Sequence, residues 1–434
     1  MRQTPYYVFD TDEFAKRAAM IRAALDCKGG RRIPLCFSIK ANPFLLHRLP
    51  EGLDHVEVCS PGELEICIAL GVQPESIIYS GVMKEKCDIE RAVSYGAGIL
   101  TCESIRHATL ISEVMLECIQ EGAYEAEFAE TKAYVILRLT SGNQFGMSLD
   151  DIEYIISHPD EFKGITVIGI HYYSGTQKSL RKINKDLEKI KSALTGLKEK
   201  YGFEPQLVEY GPGLCVEYFE EDWQEKEKQS LDEAAEVLRE FAEEYPLGIE
   251  MGRFLAASCG KYYTQVKDLK STGDANYAIL DGGIHHLNYF GQRMAMQVPP
   301  ISIYRADEIY FGEKLGEIKG TAGPIGNTFN DCEVSENEER TEEELTQLPD
   351  TDYTLCGSLC TVADVLVREV KLKKLELGDV LEFGHCGAYS VTEAPALFLS
   401  RQLPAIYAYS KEYGYECLRE HIPAAEINLA GKKL

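Results

Sequence analysis

The 434-residue chain has no uninterrupted apolar run long enough to cross a bilayer, which argues against a membrane-spanning helix. Its first residues, Met1-Arg2-Gln3-Thr4-Pro5-Tyr6, lack an apolar signal region, so a cytoplasmic protein is expected. Positive charge is in deficit: 45 Lys and Arg stand against 70 Asp and Glu, a formal charge of −25. That balance argues against nucleic acid or an anionic membrane as partner. The 14 cysteines show neither CxxC pairs nor Cys/His ligand spacing, and no metal is expected. They read as reduced thiols, most of them small buried hydrophobes. No G-x-G-x-x-G opens the first unit, and no internal repeat is found.

What the chain does contain is a rhythm. Short β-like runs at 35–39, 55–58, 76–79, 98–101, 133–139, 166–171, 206–210 and 248–251 alternate with helical patterns. Those patterns fall at 62–70, 88–95, 106–120, 149–156, 180–200 and 231–245, with a last helix after Gly252. A strand at 6–9 and a helix capped by Asp10 or Thr11 come first. About eight βα units over roughly 240 residues is the size of a (β/α)₈ TIM-like barrel. A doubly wound sheet would share the alternation. The missing dinucleotide fingerprint favours the barrel. So does the clustering of unusual residues at the C-terminal ends of many different strands. After about residue 260, strands at 261–266, 277–281, 308–311, 353–356, 380–383 and 405–409 indicate a mostly β second domain. The acidic stretch 331–344 is expected to be a solvated loop or short helix.

Lys40 stands in Phe37-Ser38-Ile39-Lys40-Ala41-Asn42-Pro43, at the end of an apolar run that reads as a buried strand. Burial would lower its pKa and free the amine as a nucleophile. Taken alone, the stretch is more readily a lysine reaching off a strand end to solvent, and the rest of the chain reverses that. Other strand ends carry Glu57 (followed by Val58-Cys59-Ser60-Pro61-Gly62), His171-Tyr172-Tyr173-Ser174-Gly175-Thr176-Gln177, Gly211-Pro212-Gly213, and Glu250-Met251-Gly252-Arg253. Singly, each has an ordinary structural explanation. Together they supply a lysine for an imine and a glycine loop whose amides can approach a phosphate. They also supply an aromatic ring to stack and a carboxylate for a pyridine nitrogen. That set points to pyridoxal 5'-phosphate (PLP).

These motifs, in this order from Thr4 to about Tyr409, resemble the fold-type III PLP decarboxylases, which include diaminopimelate, ornithine and arginine decarboxylases. The resemblance implies an alanine-racemase-like barrel at 11–260 and a β-domain made of 1–10 and 261–434. It implies a homodimer whose active sites are shared across the interface. By match, Lys40 is the lysine that binds the cofactor. Glu57 is an acidic neighbour, Gly211 and Gly213 form the phosphate loop, and Glu250 is the partner of the pyridine nitrogen. Arg253 lies near the phosphate or the substrate carboxylate. Tyr389, in Gly387-Ala388-Tyr389, matches a phosphate-binding tyrosine. Cys360 matches the cysteine supplied by the partner subunit, and Asp364 an acidic residue four positions on.

There are departures. Tyr173 replaces the usual stacking histidine, Thr176 a serine, and Pro212 the central glycine of the loop, which removes one N–H donor. Thr361 stands where diaminopimelate decarboxylases have glutamate. Asp281-Gly282-Gly283-Ile284-His285-His286-Leu287 replaces their arginine-bearing substrate motif, which makes His285 and His286 candidate substrate contacts. This pattern is similar to a subgroup containing the glutamyl-carrier-protein decarboxylase of butirosin biosynthesis. The resemblance implies that the substrate amine displaces Lys40 and that CO₂ leaves the α carbon. Cys360, or else Lys40, then returns the proton. The substrate is an amino acid, free or carried on an acyl carrier protein. Rival readings are a diaminopimelate decarboxylase, an amino-acid racemase on the same barrel, and a non-catalytic PLP-binding homologue.

Overall fold

In the computed structural model, residues 2–26, 31–120, 132–292, 295–305 and 348–431 are described. The chain divides into two compact units, Phe14–Glu217 with Glu221–Ala256, and Met1–Glu13 with Tyr218–Glu220 and Ala257–Leu434. Strand β1 (Tyr6–Asp10) belongs to the second unit, and helix α1 (Thr11–Leu25) leads into the first.

The first unit is a closed parallel barrel of eight strands: β2 (Leu35–Ser38), β3 (His55–Val58), β4 (Ile77–Tyr79), β5 (Ile99–Cys102), β6 (Ala133–Arg138), β7 (Ile165–Tyr173), β8 (Leu207–Gly211) and β9 (Leu247–Met251). All eight fall where the periodicity places them. The pairing of β9 with β2 closes the ring, with Cys36 opposite Glu250 and Phe37 opposite Met251. Cys36, Ile78, Ile136 and Ile168 form one cluster of its apolar core. Local signals explain the helices between the strands. Ser60 accepts from Glu63 N and Pro61 opens the next turn, so a helix must start where β3 ends. Helix Trp223–Glu244 begins eight residues before the expected 231. Its first turns, Trp223-Gln224-Glu225-Lys226-Glu227-Lys228, carry no apolar stripe and gave no periodic signal.

The second unit is a β-sheet domain. Its main path pairs β14 (Val365–Lys373), β13 (Asp350–Cys356), β11 (Ala275–Leu280), β10 (Gly260–Thr272), β1, β16 (Ala405–Ser410) and β17 (Gly414–Arg419), while β15 (Val380–Phe383) joins β10 to β12 (Ile301–Tyr304). The thirteen-residue β10 organises it, pairing with β1, β11 and β15 along its length. Strands β12, β14 and β17 were not expected. In β14 the charged pair Arg368-Glu369 breaks the apolar alternation, and in β17 Glu416 and Arg419 do the same. The expected strand 308–311 and the acidic stretch 331–344 lie outside the described residues. Cysteine usage needs a correction. Of twelve described free cysteines, five are buried and three, Cys87, Cys360 and Cys417, are exposed.

A buried ion pair ties helix α1 to helix Trp223–Glu244. Arg17 on α1 donates Nη1 to Glu227 Oε2 at 2.7 Å and Nε and Nη2 to the Phe254 carbonyl, with its guanidinium 4.3 Å from the Phe254 ring centre. Glu227 also accepts from Glu217 N. Both side chains are at most 5 % exposed, so removing one partner strands a charge. Arg17→Met should cost about 3–5 kcal/mol in urea unfolding, and the Arg17→Met/Glu227→Leu double variant should recover most of it.

Candidate active site

Strand β2 ends at Ser38, and a single 3₁₀ turn, Ile39–Ala41, carries Lys40. Asn42 then accepts from Phe44 N and Pro43 starts the next turn, which fixes the backbone beyond the lysine. Lys40 is therefore two residues past the strand, and its side chain is 37 % exposed rather than buried. What surrounds its amine is a ring of polar groups. Nζ lies 2.9 Å from Glu57 Oε2, 3.5 Å from Cys59 Sγ and 3.5 Å from Glu250 Oε1. Glu57 and Glu250 end the adjacent strands β3 and β9 and are 2 % and 7 % exposed. The Ser38 hydroxyl donates to Glu57.

The fields in this cluster are strong and opposed. Burial alone would raise Glu250, but the Lys40 ammonium and the His171 hydrogen bond, 3.2 Å from Nε2 to Oε2, hold it well below the usual carboxylate range. Glu209 on β8 goes the other way. Burial, with Glu250 and Glu57 near it, pushes it well above that range. Burial likewise raises the Cys59 thiol, helped by Glu57. At the end of β4, burial brings Lys84 down to about 8, and its amine donates to the Gly81 carbonyl at 2.5 Å.

Across the barrel mouth, Tyr173 ends β7 and Gly211 ends β8. Any Cβ on Gly211 would fall 2.5 Å from the Tyr173 ring, so glycine lets the aromatic face lie against the loop. Gly213 has φ +56°, and a Cβ there would sit 2.2 Å from the Gly175 carbonyl. The segment holding Thr176 and the segment holding Pro212 thus meet backbone to backbone. Arg253 opens the short helix Arg253–Ala256 directly after β9. The barrel therefore brings together Lys40, Glu57, Tyr173, Thr176, Gly211, Gly213, Glu250 and Arg253 at the C-terminal ends of its strands.

The remaining candidates lie in the β-domain. His285 and His286 follow β11, are 0 % and 1 % exposed, and have ring centres 3.7 Å apart. His286 is anchored, with Nδ1 2.8 Å from the Tyr262 hydroxyl and its carbonyl accepting from Tyr7. Neither ring nitrogen of His285 has a hydrogen-bond partner among the described residues. Burial, then Arg401, brings His285 down to about 4. Asp364 is 3 % exposed, and its two oxygens accept from Ile284 N at 2.8 Å and Leu359 N at 2.6 Å. Its carboxylate thus binds the histidine loop to the loop bearing Cys360 and Thr361. Cys360 is exposed and Thr361 half-buried. Tyr389 is half-buried with φ +68°, a left-handed conformation costly for a tyrosine.

The arrangement suits a phosphorylated aldehyde on a pyridine ring. An amine is poised between carboxylates, one of which is drawn towards its ionised form to face a protonated ring nitrogen, and a glycine-flanked loop lies against an aromatic face. The sequence profile of the pyridoxal-dependent decarboxylase pyridoxal-binding domain matches residues 11–257. The chain belongs to this family of PLP-dependent decarboxylases. Among curated relatives of this decarboxylase, L-glutamyl-[BtrI acyl-carrier protein] decarboxylase of Niallia circulans is 26 % identical over 98 % of this chain and 93 % of its own. Diaminopimelate decarboxylase of Zymomonas mobilis is 24 % identical over 93 % and 86 %. The Staphylococcus aureus decarboxylase of 2-[(L-alanin-3-ylcarbamoyl)methyl]-2-hydroxybutanedioate is 26 % identical over 85 % and 86 %. The crystal structure of diaminopimelate decarboxylase from M. jannaschii with L-lysine shares the fold, with a TM-score of 0.73 over 99 % of this chain and 92 % of that one at 21 % identity.

His171, Cys59, Lys84, Glu209 and Lys178 were not singled out from sequence. Only His171 carried a signal, lying two residues before Tyr173 on the inward-facing side of the same strand. Because His285 and His107 sit at about 4 in the fold against 6.5 unfolded, the unfolded chain takes up more protons in that interval. Stability is lost as pH falls from about 6.5 towards about 4. His285→Asn should lose less over that window, measured by urea unfolding across it.

Proposed function

We propose that this decarboxylase acts on an α-amino acid whose distal carboxyl is masked, as in a glutamyl group held as a thioester on a carrier protein. The observation that carries this reading is that the charged groups beside the loops implied to meet the distal end are already engaged: Arg401, which acts on both His285 and Asp364, donates to the Ser358 carbonyl. His285 is neutral at pH 7, Thr361 brings only a hydroxyl, and both Asp364 oxygens are occupied by backbone amides. A free diamino acid or dicarboxylate would leave a distal charge unmatched there, a costly arrangement. The nearly full-length similarity to a glutamyl-carrier-protein decarboxylase supports the same choice.

PLP, when bound, supplies a carbonyl for the substrate amine and a ring that takes up the electron pair left by CO₂. Lys40 holds the cofactor between turnovers. Glu250, steadied by His171, keeps a proton on the ring nitrogen. Gly211 and Gly213 would receive the phosphate, and Tyr173 would cover a ring face; for Tyr389 a phosphate-binding role rests on the family resemblance alone. Arg253 offers a cation to the phosphate or the substrate carboxylate, and Glu57 orients the Lys40 amine. Cys360 returns the proton to the α carbon. Following the family resemblance, the working unit is a homodimer in which Cys360 of one copy serves the Lys40 of the other.

Two experiments test this. CO₂ release should be at least about 10-fold more efficient with a glutamyl thioester or γ-glutamyl ester than with free glutamate or meso-diaminopimelate. A preference for meso-diaminopimelate would refute the substrate reading. Lys40→Ala and Cys360→Ala variants should each lose amine production, the latter diverting to transamination products. Co-expressed, they should regain about a quarter of the parent activity, because half the dimers carry one intact site. Absence of regain would refute the shared site.

A further inference from the structure

One buried cation plays no part in the chemistry above. Lys178 lies five residues after Tyr173 and is 1 % exposed. Its ammonium donates to the Gly211 carbonyl at 2.8 Å, to Asp186 Oδ2 at 2.9 Å and to Ser174 Oγ at 3.2 Å. It also lies 5.5 Å from the Tyr173 ring centre and 4.9 Å from that of Tyr210. Its backbone N–H donates to the Gly213 carbonyl at 2.9 Å. Asp186, 6 % exposed on the long helix Leu180–Tyr201, accepts from Ser174 and Tyr210 as well.

One residue thus grips both ends of Gly211-Pro212-Gly213, the first carbonyl by its side chain and the last by its main chain. The peptide after Gly213 is trans, so holding the Gly213 carbonyl towards Lys178 turns the Leu214 N–H to the opposite side. Proline at 212 has removed an amide that a glycine would offer. The remaining donors must then be held in place for the loop to bind an anion well. A buried ion pair adds little net stability compared with apolar residues of similar size, so stability is a weak reason for this one.

We propose that Lys178, held by Asp186, is the positioning residue of the phosphate loop, fixing the Gly211 and Gly213 carbonyls so that the loop stays preset for the cofactor's phosphate despite Pro212. This rests on the reading of that loop as the phosphate site.

The test uses the full-length apo-protein and compares binding of PLP with binding of pyridoxal, which lacks the phosphate, followed by fluorescence and absorbance. Lys178→Met alone leaves Asp186 buried and unpaired, so the decisive variant is Lys178→Met/Asp186→Asn, which keeps an acceptor for Ser174 and Tyr210. It should melt close to the parent temperature and bind pyridoxal as the parent does. Its affinity for PLP should fall on the order of 10- to 100-fold, the loss of one charge-assisted contact's worth of order. Stabilisation of the apo-protein by inorganic phosphate should fall with it. A double variant that keeps the parent's preference for PLP over pyridoxal overturns the role given to Lys178. One that no longer folds does so too, since the pair is then a stability element. Equal affinity of the parent for PLP and pyridoxal overturns the proposal together with the reading of the loop.

Discussion

The site depends on a charge held where two carboxylates need it. Lys40 stands between Glu57 and Glu250, each nearly free of solvent, and places a cation within 3.5 Å of both. Barrel closure creates this meeting. Strand β2 is hydrogen-bonded to β3 on one side and to β9 on the other, so residues about 200 positions apart become neighbours because β9 is the strand that closes the ring. The ion pair of Arg17 and Glu227 and the register of β2 on β9 both serve that closure.

Around this core the acids are sorted by environment. Lys40 and His171 draw Glu250 below the usual carboxylate range, while burial beside the other carboxylates pushes Glu209 above it. The barrel supplies the positions, and the differences in burial and partners set the state of each group.

The barrel was legible from sequence because period-two and period-3.6 patterns alternate strictly there, and its strands are apolar on both faces. Lys40, Glu57, Tyr173, Gly211, Gly213, Glu250 and Arg253 were legible because each lies within two residues of a strand's C-terminal end, where side chains of a barrel enzyme converge. The β-domain was less so. Strands β12, β14 and β17 hide behind prolines and charges, since a sheet with one open face tolerates polar residues that erase alternation. The setting of Lys40 was misjudged for a physical reason. An apolar neighbourhood in sequence says nothing about a 3₁₀ turn that swings the next side chain towards polar partners. Lys178 was invisible for a related reason, since its importance comes from a carbonyl 33 positions away.

Asp364 has a consequence that reaches beyond one molecule. Its two oxygens bind the backbone of two different loops, one bearing His285 and the other Cys360. A shift in either loop would pull on the other through a single carboxylate. Divergence therefore cannot remodel the segment of His285 and His286 while leaving that of Cys360 undisturbed. The two segments form one heritable block, and changes that widen what the enzyme accepts should arise in them jointly.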